Sequence, residues 1–127
     1  MKMVRFNTEE VLTGGVERLR WAVAAEESDI VVALAGELDL ATVEPLGRLL
    51  GEVLQCRPTT VAVDAARLSF LDSSGIQCLV DAAQAATTAG CKLVVQRPTA
   101  NVVRVLGICG LDQLLLADTD NDPTARR

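Results

Sequence analysis

The chain has 127 residues, half of them apolar and 23% charged, which suits one packed domain and is too short for two with independent cores. Its net charge is −5 and its Lys and Arg residues are scattered rather than gathered into a basic run, which argues against nucleic acid as a partner. Histidine is absent, which removes Cys/His zinc sites and the Ser-His-Asp and Cys-His catalytic arrangements.

In chain order, residues 1–17 carry no clean period and are interrupted by Gly14-Gly15. They are set apart as an N-terminal extension of unassigned structure, ahead of a domain spanning 18–117. Leu19, Trp21 and Val23 alternate with Arg20 and Ala22, the pattern of a half-buried strand. The polar stretch Ala25–Asp29 suits a hairpin turn, and Ile30–Ala35 is a nearly continuous apolar run expected of a central strand covered on both faces. Val43, Leu46, Leu49, Leu50, Val53 and Leu54 then fall on one face of a helix over about 42–55, closed by Arg57-Pro58.

Thr60–Asp64 is a short strand. Ile76, Leu79, Val80 and Ala83 mark a second helix ending near Gly90, and Lys92–Gln96 the next strand. Thr99 caps a third helix with Val102, Val103 and Leu106 inward and Gly110 as its stop. Leu114–Leu116 is placed as a last strand, and 118–127 as a polar, flexible tail. The fold class is therefore α/β: a mixed sheet of four to five strands with helices packed on it, in the order β-β-α-β-α-β-α-β. Only Trp21, Phe6 and Phe70 are aromatic, so the core must be aliphatic.

Neither G-x-x-x-x-G-K-[ST] nor G-x-G-x-x-G occurs, no apolar run reaches the length of a membrane span, and the N-terminus lacks a signal-peptide core. Cys56, Cys78, Cys91 and Cys109 form no C-x-x-C pair and read as free thiols of a cytoplasmic protein. No enzyme activity, cofactor or metal is expected.

The informative segment is Leu68-Ser69-Phe70-Leu71-Asp72-Ser73-Ser74-Gly75-Ile76, which runs from a strand into the second helix. Its plain reading is a helix start, with Ser73 or Ser74 as N-cap and Asp72 complementing the positive helix end. Gly36-Glu37-Leu38-Asp39 closes the central strand. Because connections leaving neighbouring parallel strands converge on one rim, Asp39 and Asp72–Ser74 are expected to meet there. Along the second helix Ser74, Cys78, Asp81, Ala82 and Ala85 fall on the outward side, a short-chained face that a partner can approach closely.

These motifs, with Gly90 before Leu93-Val94-Val95 and Val102–Leu106 before Cys109-Gly110-Leu111, resemble the STAS domains, and among them the bacterial anti-sigma-factor antagonists. The resemblance runs from about Leu19 to Leu116. It implies that Ser73 is a phosphorylation site and that Asp39 lies near it and contributes to partner binding. The partner surface is placed on Asp39, Asp72, Ser73, Ser74, Gly75, Cys78 and Ala82. The implied partners are an anti-sigma factor with serine kinase activity, which the unmodified antagonist binds to free a sigma factor, and a phosphatase that reverses the modification. Two departures stand out: the N-terminal extension, and an acidic tail where a further helix is common. A non-phosphorylated STAS subunit of a transporter or stress-signalling assembly is the competing reading, and a small-ligand or nucleotide sensor a third.

Overall fold

In the computed structural model, residues 11–116 are described. They form β1 (Val11–Val16), β2 (Leu19–Glu26), β3 (Asp29–Leu38), α1 (Val43–Gln55), β4 (Thr60–Leu71), α2 (Ser73–Thr88), β5 (Lys92–Gln96), α3 (Ala100–Ile108) and α4 (Asp112–Leu115). The five strands lie in sequence order, β1 to β3 antiparallel and β3 to β5 parallel. This is the expected mixed α/β sheet.

Both parallel crossovers advance in the same direction along the sheet, so right-handedness sends α1 and α2 to one face. The packing agrees. Inward strand residues such as Leu19, Val23, Val32, Leu34, Val61, Val63, Leu93 and Val95 join Leu46 and Leu50 of α1, Leu79 of α2 and Leu106 of α3 in one cluster. Each fully buried leucine there contributes about 1.5–3 kcal/mol relative to exposure. No aromatic residue belongs to the buried core among the described residues. On the other face Ala22, Ala24, Val31, Ala33 and Ala35 are half-buried, while Ala62 and Val94 are buried although they lie outside that cluster.

Three local differences from the sequence reading have physical causes. First, part of the stretch set apart as an extension is strand. Residues 11–16 pair with β2, and the glycines that seemed to break the pattern permit close approaches there. A Cβ on Gly14 would come within 2.5 Å of the Trp21 indole nitrogen, and Gly15 has a φ of 146°. Residues 1–10 and 117–127, including the tail, lie outside the described residues.

Second, β4 runs on to Leu71 because two bulges carry it past Asp64. Leu34 faces both Ala65 and Ala66, and Ser69 is an extra residue between the pairs Gly36–Leu68 and Glu37–Phe70. Asp64 accepts from the Ala66 N–H at 3.0 Å, and the Ser69 hydroxyl donates to the Gly36 carbonyl at 3.0 Å, so each bulge has its own fastening.

Third, Leu114 and Leu115 belong to α4 rather than to a strand. The spacing of Leu111 and Leu115 is helical and buries Leu115, and only Leu116 bridges to Val95.

Candidate functional site

The rim lies where β3 and β4 end and α1 and α2 begin. Gly36 carries a φ of 115°, and a Cβ there would fall 2.2 Å from the Arg18 carbonyl oxygen, so only glycine fits. The close approach lets the Glu37 N–H donate to that carbonyl at 2.9 Å, which docks the β1–β2 turn against the end of β3. Arg18 then reaches over the rim. Its Nη2 lies 2.9 Å from Asp39 Oδ2 and its Nη1 3.4 Å from Glu37 Oε1.

Asp39 is held from several sides. Its Oδ1 accepts from the Ala41 N–H at 3.0 Å, and its own N–H donates to Thr42 Oγ1 at 2.9 Å. The buried Thr42 hydroxyl donates to the Glu37 carbonyl at 2.9 Å. That employment explains why Thr42, the N-cap of α1, makes no side-chain cap bond. The Asp39 side chain is 13% exposed, so it is an anchored, charge-paired acid rather than a free one.

Next to it, the Asp72 N–H donates to the Leu38 carbonyl at 3.2 Å, and Leu38 pairs with Leu71. The first turn of α2 thus sits against the residue preceding Asp39, as the parallel-strand argument predicts. Gly75 allows this contact: a Cβ there would meet the Leu38 carbonyl oxygen and Leu71 Cδ1 at 2.7 Å each. The expectation that a serine caps α2 is corrected. The cap is Asp72, in extended conformation, and its Oδ1 accepts from the Gly75 N–H at 3.0 Å. A carboxylate serves here as well as a hydroxyl and adds favourable charge at the helix start. Ser73 is consequently the first helical residue, exposed, with no hydrogen bond from its hydroxyl among the described residues.

From Ser74 onward the outward face of α2 is not open surface but one wall of a groove shared with α1. The cavity is about 690 Å³ and runs from Ser74 past Cys78 and Ala82 to Ala85, opposite Val43, Leu50 and Leu54. Gly47 and Gly51 also line it, and a Cβ at either would meet nothing within 4 Å, so the groove is wide as well as apolar. Cys78, read from sequence as exposed, is half-buried, its Sγ 3.8 Å from the Val43 carbonyl. Burial, with the nearby Asp81 charge, pushes its thiol up, away from the reactive thiolate.

The structure therefore brings together Asp39, Asp72, Ser73, Ser74 and Gly75, and sets Cys78 and Ala82 along the adjoining groove. Sequence reasoning missed Arg18. Its position in the two-residue turn between alternating runs, facing the acids Glu37 and Asp39, was the available signal.

A mixed five-stranded sheet, with a serine raised on the first turn of the helix that follows the second parallel strand, defines a small mixed α/β domain. The chain belongs to the STAS domain family: the family model described as Mlab, STAS domain, matches residues 21–117. The anti-sigma-F factor antagonist RsfB of Mycobacterium tuberculosis is 35% identical over 57 residues, 45% of this chain and 47% of the relative. The match thus spans about half the length of that relative. An anti-sigma factor antagonist from Mycobacterium paratuberculosis superposes with a TM-score of 0.69 at 22% identity, covering 95% of this chain and 97% of the other. The Bacillus cell fate determinant SpoIIAA in its phosphorylated form gives 0.58 at 23% identity, with 92% and 98% covered. These two likenesses establish the fold. No helix among the described residues is long and apolar enough to cross a membrane.

Proposed function

We propose that this protein is an anti-sigma-factor antagonist whose binding to an anti-sigma factor with serine kinase activity is switched off by phosphorylation of Ser73 and restored by a phosphatase. One observation carries the reading. Ser73 is exposed at the start of α2, its hydroxyl unengaged among the described residues, on a rim that also holds Asp39 and Asp72. The names of the relatives supply the class of partner. In this reading the contact surface comprises Asp39, Asp72, Ser73, Ser74 and Gly75 and continues along Cys78 and Ala82.

The switch follows from electrostatics. Phosphorylation adds about −1.5 to −2 charges at pH 7. At the N-terminus of a helix the free fold accommodates them, gaining about 0.3–1 kcal/mol from the unpaired N–H groups. Against a partner the same dianion must lose its water beside two carboxylates, which costs several kcal/mol per ion. Since about 1.4 kcal/mol is tenfold in affinity, the interface weakens by about two decades or more while the fold survives.

The test is incubation with ATP and candidate anti-sigma serine kinases, followed by mass mapping of the modified residue. Modification at Ser73, abolished by Ser73→Ala, supports the reading. Modification elsewhere refutes the site. Stable binding with no modification at all favours the non-switching STAS subunit.

A further inference from the structure

Leu40 follows Asp39 in the connection from β3 to α1, is 77% exposed and takes no part in the core cluster. Exposure alone does not single it out, since Ile108 in the last turn of α3 is 78% exposed. Its bracing does. The Ala41 N–H donates to Asp39 Oδ1 at 3.0 Å, and the Thr42 and Val43 N–H groups both donate to the Asp39 carbonyl at 3.0 Å. The Asp39 N–H donates to Thr42 Oγ1 at 2.9 Å, and Arg18 holds the other Asp39 oxygen at 2.9 Å. A turn fixed on both sides of Leu40 presents the side chain as a preformed feature, so a contact made there costs little ordering. Burying it recovers the free energy of taking a leucine out of water, which the fold itself does not collect.

We propose that Leu40 is the apolar anchor of the contact with the anti-sigma factor, seated in an apolar pocket of that partner with a basic side chain beside it. The proposal rests on the antagonist reading given above. Position supports it first. The Leu38 carbonyl, two residues before Leu40, accepts from the Asp72 N–H at 3.2 Å, and Ser73 is the next residue. Chain reach then puts Leu40 and Ser73 at most about 18 Å apart, so one interface of about 800 Å² a side spans both. Three residues beyond Leu40, Val43 lines the α1/α2 groove, which extends the apolar surface away from the rim.

Charge selects the occupant. Glu37, Asp39 and Asp72 stand around this turn, and Arg18 is already spent on the first two. A second copy would bring the same acids against them, whereas a pocket edged by a basic side chain complements them. An apolar centre inside a polar ring is also how binding energy is concentrated in protein interfaces. The anchor and the switch share one patch: a phosphate on Ser73 brings charge and bound water to the surface where Leu40 must be dried.

The test titrates the kinase that binds the wild-type protein with unmodified wild type, Leu40→Ala and Leu40→Met, at about 0.1 and 0.5 M salt. Wild-type affinity is expected to fall with salt, and Leu40→Ala to bind about tenfold or more weaker than wild type at both concentrations. Leu40→Met, which keeps the apolar volume, binds as wild type does. Phosphorylation of Ser73 in Leu40→Ala shows a raised KM with kcat unchanged, and the melting temperatures of all three proteins agree. Wild-type affinity in Leu40→Ala overturns the anchor and leaves the antagonist reading standing. A deficit that disappears at high salt means that the leucine acts through the neighbouring charges, which overturns the apolar pocket. Should the wild type bind none of the candidate kinases, the antagonist reading fails and the anchor with it.

Discussion

Replacing Asp72 with alanine removes the side-chain N-cap of α2, the 3.0 Å bond to the N–H of the buried Gly75. Losing an N-cap of this kind costs about 0.5–2 kcal/mol, and losing the negative charge at the helix start about 0.3–1 kcal/mol more. A total of about 1–2 kcal/mol is expected, because Asp72 is only half-buried and the first turn stays seated through its backbone contact with Leu38. With an unfolding entropy of about 2.1 cal/mol/K per residue over 127 residues, the melting temperature should fall by about 4–7 °C. Asp72→Asn, which keeps the cap and loses only the charge, should fall less than half as far. Ser73→Ala, at an exposed side chain with no bond to lose, should stay within about 0.5 kcal/mol of wild type. Thermal unfolding followed by circular dichroism, with urea titration for the free energies, measures all three. If Ser73→Ala costs as much as Asp72→Ala, the serine is the cap, its hydroxyl is not free, and the basis of the switch is gone.

Arg18→Ala should cost about 1–3 kcal/mol in urea titration, because it strands the Asp39 carboxylate at 13% exposure, with Arg18→Lys recovering part of the loss. Equal stability of Arg18→Ala and wild type would mean that the clamp holds nothing. At Asp64, burial pushes the carboxyl upward, but hydrogen bonds from Arg97 and the Ala66 N–H, with the Arg97 charge, outweigh it and hold the carboxyl below its usual range. A depressed folded-state value adds stability above the unfolded pKa of about 3.9, lost as pH falls through the lower folded value. Arg97→Ala should therefore lose stability at pH 7 and converge on wild type at pH about 2–3; an equal gap at both pH values would show that the pair contributes no such term. Alkylation at neutral pH should reach the exposed Cys109 well before the half-buried Cys78, as peptide mapping would read; preferential labelling of Cys78 would refute the assignment of its thiol as sheltered.

What the sequence disclosed and what it concealed divide along physical lines. The central strand at Ile30–Ala35, the α1 stripe of Leu46, Leu50 and Val53, and the cap at Thr99 are governed by local periodicity and capping and appear as read, Thr99 accepting from the Val102 N–H at 3.3 Å. Val31, Ala33 and Ala35, however, are only half-buried where coverage on both faces was expected. That the start of α2 would lie against the end of β3, where Asp72 meets Leu38 beside Asp39, was also legible, because parallel connectivity dictates it. The hidden features depend on neighbours in space. Gly14 looks like a breaker until Trp21 is laid across it, and β4 loses its alternation at the bulges opposite Leu34 and after Leu68. Arg18 gains its role only when the glycine at position 36 lets the β1–β2 turn close on β3. The capping residue of α2 was misassigned because Asp, Ser and Ser in succession are all good caps. Backbone geometry, extended at Asp72 and helical from Ser73, makes the choice.

The central claim is tested most directly by one titration: the affinity of a candidate anti-sigma serine kinase for the same protein before and after stoichiometric phosphorylation at Ser73, with the melting temperature recorded for both forms. The account predicts that affinity drops about a hundredfold or more while the melting temperature is held or slightly raised. Unchanged affinity, or a loss of binding accompanied by unfolding, would contradict it.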